Sequence, residues 1–477
     1  MVLSDGFLVL PLLIAVLYAS VETVSDVYSR KNYQRKIDVD SNVQQPWRGQ
    51  TTLIFALLAV SLGLGNVLRL PYVIGEQGGG AFLLVYVAVL TLVVSPVLIA
   101  ELTLGSLGRS SPMGSIQWVA SLAGRDTRWR WIGALQAILA LSIASLMMVP
   151  AVLGAEASFY LYRGDWDAAS ANDIIDTLSG IDSADHLRVL GVLVALVIVA
   201  ALPGPQVVLF LAGWVILPLI LLMMYAGLGF AFDVGDIAAA NEWIFKYRPE
   251  QLTEAGIFSA ALAALSSLGA GVGVGLVFGS RSPEGLPLVR SVIAVAILDT
   301  AFMLVLAIII VAVTAAVDVE MVQGLALLVV SIPYATANLP TGELFGLVIM
   351  MSILLATVAA LIALIEPMVS ILRREFDVPR LLAMMIVALV LWVSGALMMS
   401  EPLARQTIDT WLVPVLVPFV LGVTALFAVW RVPRPIFRGE KYREPFAVFY
   451  VWYVIARWLT PVFCFTLSVL ALLRLVL

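Results

Sequence analysis

The chain has 477 residues, of which 62% are hydrophobic and only 12% are charged. Soluble domains contain roughly 45–50% apolar and about 25% charged residues, so this composition excludes a water-soluble globular protein. The net charge of −5, one cysteine and one histidine give no nucleic-acid footprint, no intramolecular disulfide and no thiolate or zinc cluster. With no Gly-Lys dipeptide, the chain also has no Walker A loop for an ATP-driven pump.

Apolar runs predict about twelve membrane-spanning helices, since one span needs roughly 20 mainly apolar residues. The first run is the weakest, because it is short and contains Pro11. A signal peptide is the alternative there, but no Lys or Arg precedes the run and no A-x-A site follows it. We therefore expect an all-α polytopic membrane protein with an extra N-terminal helix. The predicted spans are 5–24, 51–74, 81–107, 131–162, 187–203, 205–231, 256–280, 289–316, 342–373, 379–400, 408–431 and 446–475.

Charge predicts the orientation of these spans. Lys and Arg are concentrated in the segment before residue 51 and in the loops at 108–130, 373–380 and 431–444. These segments fall on one side of the predicted membrane, which the positive-inside rule makes cytoplasmic. The loop at 163–186 is rich in aspartate and falls on the opposite side. We expect a multi-pass protein of the cell membrane, the inner membrane if the source is bacterial.

Two of the spans contain glycine clusters in their interiors, at 61–66 and 266–273. Glycine costs about 1 kcal/mol relative to alanine inside a helix, so a cluster predicts a break. The breaks fall in the first helices of two successive sets of five, as in secondary transporters built from inverted repeats. Close helix packing through small residues is the alternative.

The stretch from Gly63 to Tyr72, followed by Glu76 to Phe82, resembles the first-helix signature of the neurotransmitter:sodium symporter family. Ser267–Gly273 is similar to that family's sixth helix, and 321–342 to its fourth extracellular loop. The resemblance covers roughly residues 47–475 and implies the LeuT-type fold of five plus five inverted helices. It implies a symporter domain at 47–477, with repeats at about 51–231 and 256–431 and a final helix at 446–475. Residues 1–46, a helix and a basic linker, lie outside it.

The family's roles carry over to particular positions of this sequence. The resemblance implies a sodium site at Ser61, Asn66, Ser267 and Asp299, and Na⁺ does prefer oxygen ligands. Many members have Asn where Asp299 stands and use bound chloride for the missing charge, so no chloride requirement is expected here. Two further matches are an extracellular gate of Arg69 with Asp409 and an acid of the second helix at Glu101. Trp47 matches a tryptophan that closes the cytoplasmic side.

The chain also departs from the family's pattern. Ser145 stands where the family has a tyrosine for the substrate carboxylate, and Ala359 and Ala360 replace the two hydroxyls of a second sodium site. We therefore expect one sodium ion and a roomy, atypical pocket. The intracellular ion pair reads Gln44 and Arg374, which cannot form it as usual. The predicted pocket comprises Ser61, Leu64, Gly65, Leu141, Ser145, Ser266, Gly269, Val272, Ala359 and Leu364.

The leading interpretation is a Na⁺-coupled symporter that imports an amino acid or a related carboxylated molecule by alternating access. One alternative is a non-transporting sensor or accessory protein that docks a partner subunit through its N-terminal helix. Another is an H⁺-coupled carrier, because a proton can compete for Asp299. No nucleophile–base constellation appears in the spans, so an enzyme is not expected.

Overall fold

The computed structural model describes residues 49–62, 64–204, 210–283, 285–317, 322–438 and 445–476. Within these ranges the chain is almost wholly helical. The N-terminal helix predicted at 5–24, together with Gln44 and Trp47, lies outside the described residues. In chain order the helices are α1 (Gln50–Ser61), α2 (Leu64–Glu76), α3 (Gly80–Gly108), α4 (Pro112–Leu122), α5 (Thr127–Arg163), α6 (Ala171–Ser179), α7 (Ser183–Ala201), α8 (Ala212–Val234), α9 (Ile237–Phe245), α10 (Glu254–Leu265), α11 (Val274–Gly279), α12 (Leu288–Ala315), α13 (Leu327–Ala337), α14 (Gly342–Glu375), α15 (Arg380–Ser400), α16 (Pro402–Arg431), α17 (Arg434–Arg438) and α18 (Phe446–Leu475).

Nine helices of the described part are long and apolar enough to cross a membrane: α3, α5, α7, α8, α12, α14, α15, α16 and α18. Each corresponds to a span predicted from hydropathy. The predicted spans 51–74 and 256–280 are each divided into two helices, as their glycine clusters indicated. A helix whose backbone bonds are all internal is the solution that a bilayer allows, which explains why apolar runs locate these elements well.

The core of the bundle lies along α14 and α5. The most apolar stretch of α14 is 78% buried and that of α5 is 67% buried, whereas that of α7 is only 28% buried. Large apolar side chains such as Val192 on α7, Leu222 on α8 and Leu389 on α15 point outward. Apolar exposure on this scale suits contact with lipid. The long helices therefore range from α14 and α5, through α3 and α16 at 61% buried, to a lipid-facing periphery.

Several segments predicted only as connections are helical: α4, α6, α9, α13 and α17. Local capping explains one of them. The Ser170 side chain accepts a bond from the Asp173 backbone N–H at 3.2 Å, and the Asp173 carboxylate accepts one from the Ser170 backbone N–H at 2.9 Å. This reciprocal capping box starts α6 without a long apolar run.

Candidate functional site

The second broken helix is interrupted for eight residues, between the end of α10 at Leu265 and the start of α11 at Val274. Gly269, Gly271 and Gly273 have φ values of 63°, 78° and 73°, and Leu268 has 41°. Side chains beyond glycine rarely adopt this left-handed region, which is why the break follows the glycines. The predicted interruption of this span is confirmed.

The first broken helix is interrupted between the end of α1 at Ser61 and the start of α2 at Leu64. Gly63 lies outside the described residues, and the side chains of 64–67 are not described. The proposed ligand Asn66 and the predicted pocket residues Leu64 and Gly65 are therefore placed only by their backbone, at the beginning of α2.

A buried carboxylate lies beside the two breaks. Asp299, in α12, is only 2% exposed, and the Ser267 hydroxyl donates to its Oδ2 at 2.6 Å. The Ser61 hydroxyl, at the end of α1, is close enough to Asp299 to interact with it, although it donates to the Leu58 carbonyl at 2.9 Å. Three of the four predicted cation-site residues thus meet at one place, and Ser61 and Asp299 line the same cavity of about 40 Å³.

Tyr86 of α3 is a fourth member of this cluster that the sequence analysis missed. Its side chain is fully buried, and its hydroxyl faces Ser267 and Asp299. The hydroxyl oxygen has no hydrogen-bond partner of good geometry among the described residues. A buried hydroxyl without a partner is costly, so it marks a position where a further ligand or a shifted Asp299 carboxylate completes the set.

The cluster can hold a small hard cation. It presents a carboxylate and two or three hydroxyl oxygens. The polar side chains that line the adjoining cavity are those of Ser61, Asp299 and Ser352, and its other walls are apolar. The described residues hold no group of three or more His, Cys, Asp or Glu side chains suited to a metal ion. A single charge with neutral oxygens suits a monovalent ion better than a divalent one.

Most of the other predicted pocket residues lie away from the cavity that contains Asp299. Ser145, Leu141, Val272, Ala359 and Leu364 are buried but do not line the cavity that contains Asp299. The Ser145 hydroxyl accepts a hydrogen bond from Ser394 of α15 at 2.7 Å, and it donates to the Leu141 carbonyl. Ser145 therefore faces α15.

Two of the predicted pocket residues lie in the interruption itself. Ser266 is exposed and bonds only to the Leu262 carbonyl, while Gly269 faces Val60 of α1. A Cβ on Gly269 would stand 3.1 Å from the Val60 side chain, so the two broken helices approach each other closely here.

The predicted outer gate residues are brought together. Arg69, on α2, donates a hydrogen bond from Nη2 to Oδ2 of Asp409 on α16, across 340 residues of sequence. Their side chains are 48% and 39% exposed, so the pair is half hydrated. Such a contact can form and break with little change in free energy, because exposed ion pairs contribute only about 0–1 kcal/mol to stability.

The opposite end of the bundle is tied by contacts that the sequence did not indicate. Arg374 donates to the Arg109 carbonyl at 3.0 Å, and the Ser111 hydroxyl donates to Glu375 at 2.7 Å. Arg380 pairs with the buried Glu366 and also donates to the Ala201 carbonyl at the end of α7. These bonds join α14 to α3, α4, α7 and α15 near the predicted cytoplasmic side.

Comparison with known sequences finds similarity to sodium-dependent transporters. A family model described as the sodium:neurotransmitter symporter family matches residues 44–164. An uncharacterized sodium-dependent transporter of Methanocaldococcus jannaschii is 23% identical over 84% of this chain and 84% of its own length. The sodium-dependent neutral amino acid transporter B(0)AT2 of Mus musculus is 31% identical over 104 residues, which is 22% of this chain and 14% of that protein.

Comparison with solved structures gives the same fold. The crystal structure of MhsT in complex with L-phenylalanine superposes with a TM-score of 0.79 and 23% sequence identity, over 90% of this chain and 99% of that one. The likeness covers nearly the whole of both chains. It confirms the LeuT-type fold predicted from the sequence.

Proposed function

We propose that the chain is a sodium-coupled transporter of the sodium:neurotransmitter symporter family and that it imports an amino acid or a related carboxylated small molecule. A transporter of this family carries out no covalent chemistry on its cargo, so no enzymatic activity is proposed. The protein is a multi-pass membrane protein that moves a small molecule across a bilayer. Its proposed location is the cell membrane, the inner membrane if the source is bacterial.

The observation that carries the proposal is the Asp299–Ser267 pair beside the two helix interruptions. The proposed sodium site consists of Ser61, Asn66, Ser267 and Asp299, with Tyr86 completing its wall. A sodium ion bound there neutralises the carboxylate and removes the cost of burying it. Because Asp299 supplies a full negative charge, chloride is not needed to balance the ion.

One sodium ion is proposed per transport cycle. Ala359 and Ala360 are each 1% exposed and carry no side-chain oxygen, so α14 offers no hydroxyl ligands at the second position. A poorly ligated monovalent ion does not recover the free energy of its dehydration, as for other buried charges.

The substrate is proposed to bind at the interruptions, next to the cation. Free backbone N–H groups at a helix break suit a carboxylate, and a neighbouring cation strengthens that interaction. The neutral amino acid carried by the mouse relative, by its name, and the L-phenylalanine bound to MhsT support a carboxylated cargo. The proposed pocket remains the predicted set, with Ser61 as the residue shared with the cation site.

The outer gate is proposed to be Arg69 with Asp409. The hydrogen bond between α2 and α16 supports this role, since it spans two helices that must separate to admit the substrate. Its half-exposed position allows water to replace the bond when the two helices part.

The lack of a basic partner for Asp299 favours H⁺ coupling as the second candidate. No basic side chain among the described residues acts on this carboxyl, so a proton is the natural competitor for a cation there. A sensor or accessory protein is the further alternative. In that case residues 1–46 form a separate unit that docks a partner subunit, outside a domain at 47–477.

A thermal-stability screen identifies the cargo first. Purified protein is heated with each of a panel of amino acids, with NaCl or with choline chloride. We expect a stabilising amino acid whose effect requires Na⁺, because a ligand of the folded state raises its stability by mass action. The same amino acid is then tested for concentrative uptake into proteoliposomes. Stabilisation without accumulation would favour the sensor.

A further inference from the structure

A second polar cluster lies inside the bundle, away from Asp299. It consists of Glu101 on α3, Gln136 on α5 and Thr424 on α16, all fully buried. Gln136 donates from Nε2 to Glu101 Oε1 at 2.7 Å and to the Thr424 hydroxyl at 2.9 Å. Glu101 Oε1 also accepts the backbone N–H of Gly271, in the interruption between α10 and α11, at 2.9 Å. The cluster thus ties three long helices to the unwound segment.

Two oxygen atoms of this cluster lack a hydrogen-bond partner. Glu101 Oε2 and Gln136 Oε1 are buried and have no partner. While Glu101 is ionised, both atoms can only accept hydrogen bonds, and neither receives one. Glu101 Oε2 also lies against α11, where a Cβ on Gly275 would stand 2.6 Å from it.

No positive charge balances Glu101 among the described residues. The helices packed on its segment of α3 are α4, α11, α12, the middle of α16 and α18, and α5 reaches it through Gln136. Their charged side chains are Arg290 and Asp299 on α12, Arg457 and Arg474 on α18, and Arg128, Arg130, Glu156 and Arg163 on α5. None of these acts on Glu101, whose surroundings contribute only burial, the Gly271 N–H and the Gln136 amide. A carboxylate that is buried in a membrane without a counter-ion is expensive.

We propose that Glu101 holds a proton on Oε2 and forms a cyclic acid–amide pair with Gln136. In such a pair the amide N–H donates to the acid carbonyl, and the acid O–H donates to the amide carbonyl. The first of these bonds is the one observed at 2.7 Å. The second needs one proton, which satisfies both unpartnered oxygens and removes the charge. This proton-binding site does not depend on the substrate or on Na⁺ at Asp299.

The protonated pair fixes the position of the interruption. Its acid carbonyl accepts a hydrogen bond from the Gly271 N–H, and its amide donates one to the Thr424 hydroxyl. The interruption between α10 and α11 is therefore tied to α3, α5 and α16 through neutral groups. Neutral hydrogen bonds are easier to break and remake in an apolar interior than charged ones. The proton therefore lets this junction stay buried while still able to rearrange.

Infrared difference spectroscopy of the purified full chain in lipid nanodiscs tests the proposal. The carbonyl stretch of a protonated carboxylic acid is separate from the carboxylate bands. Wild-type protein should show such a band at pH 7 and at pH 8, and the band should shift in D₂O. The band should be lost in Glu101→Gln and retained in Asp299→Asn, which is the control for the other buried acid.

Gln136→Leu gives a second readout that does not require Glu101 to be changed. Removing the amide should move the acid band to higher frequency, because its hydrogen bonds are weakened, without abolishing it. An absent acid band in wild-type protein at pH 7, or a band that survives unchanged in Glu101→Gln, would show that Glu101 is ionised and satisfied by water. A band at the same frequency in Gln136→Leu would overturn the acid–amide pair.

Discussion

Asp299 places a carboxyl group in an apolar stretch of α12, where it is 2% exposed and bonded to Ser267. Asp299→Asn keeps the shape but removes the charge that the proposed sodium site uses. We expect this variant to lose Na⁺-dependent uptake or to regain it only with chloride present, because an anion can supply the missing charge. Uptake into proteoliposomes is measured in sodium chloride and in sodium gluconate.

The matched control is Asp233→Asn, the same chemical change at an exposed position near the end of α8. It should leave both the Na⁺ and the anion dependence unchanged. If Asp299→Asn transports like wild type in gluconate, the charge of Asp299 has no part in coupling.

Arg69 provides a second test at the residue scale. Its pair with Asp409 is half exposed, so Arg69→Ala should lower the free energy of unfolding by about 1 kcal/mol or less. We nevertheless expect a large loss of uptake, since the proposed role is closure over the substrate. Comparison of the uptake rate with the melting temperature and the expression level separates the two effects. A variant that transports normally would mean that closure does not use this pair.

Charged and neutral site residues differ in how well the sequence reveals them. Asp299 was predictable because a carboxyl group in an apolar run is unusual and needs a functional reason. Tyr86 and Gln136 were not, because an isolated neutral polar side chain in an apolar helix has no sequence signal of its own. Their roles depend on which helices become neighbours, as the bonds of Gln136 to α3 and α16 illustrate.

At the scale of elements, the interruption between α10 and α11 depends on glycines in left-handed conformations. Gly271→Ala should destabilise the protein by roughly 1–2 kcal/mol, the cost of an L-residue in this region. A Cβ there would also stand 3.0 Å from the Leu421 side chain. Apparent melting temperatures in detergent measure the effect.

Gly229→Ala is the control for that experiment. Gly229 lies inside α8 with open space around its Cα, so alanine should stabilise the helix by up to about 1 kcal/mol. Opposite shifts in the two variants are the expected result. Equal shifts would indicate that the segment around Gly271 is not held in the left-handed conformation.

Sequence patterns predicted the elements unequally. The long helices follow from apolar runs and the two breaks from glycine clusters, because bilayer thickness and glycine geometry act locally. The short helices α4 and α9 were missed, since α4 begins with a Ser111 cap and α9 with an Asp236 cap rather than with a long apolar run. Such caps are common in loops as well, so they predict a helix only weakly.

At the scale of the whole molecule, the distribution of burial among the helices suits the proposed alternating access. The buried α14 and α5 form a central support, whereas the broken helices lie beside the Asp299 cluster and carry the interruptions. The two ends of the bundle are tied differently, by the half-hydrated Arg69–Asp409 pair at one and by the buried Glu366 with Arg380 at the other. Because both pairs are formed, both ends are held together in this structure. The half-hydrated Arg69–Asp409 pair is expected to separate first.

The end of the bundle held by the buried Glu366–Arg380 pair is expected to resist opening more strongly. Glu366→Gln removes the charge that pairs with Arg380 and leaves that arginine one neutral side-chain acceptor besides the Ala201 carbonyl. Breaking one partner of a buried pair costs about 3–5 kcal/mol, so this variant should melt at a clearly lower temperature than Arg69→Ala. In the Glu366→Gln background, a cysteine introduced near Ser111 should also become more reactive to a membrane-impermeant thiol reagent applied from the predicted cytoplasmic side. Equal melting temperatures for the two variants would contradict the proposed difference between the ends.

The central claim, that one Na⁺ bound at Asp299 drives uptake, is tested most directly by the Na⁺ dependence of initial uptake rates. Proteoliposomes take up a radiolabelled amino acid identified by the stability screen, at fixed pH and membrane potential, as external Na⁺ is varied. A single site at Asp299 predicts saturation with a Hill slope of about one and no requirement for chloride. A slope of about two would restore a second sodium site. Uptake that ignores Na⁺ and follows an acid-outside gradient would assign the coupling to H⁺ instead.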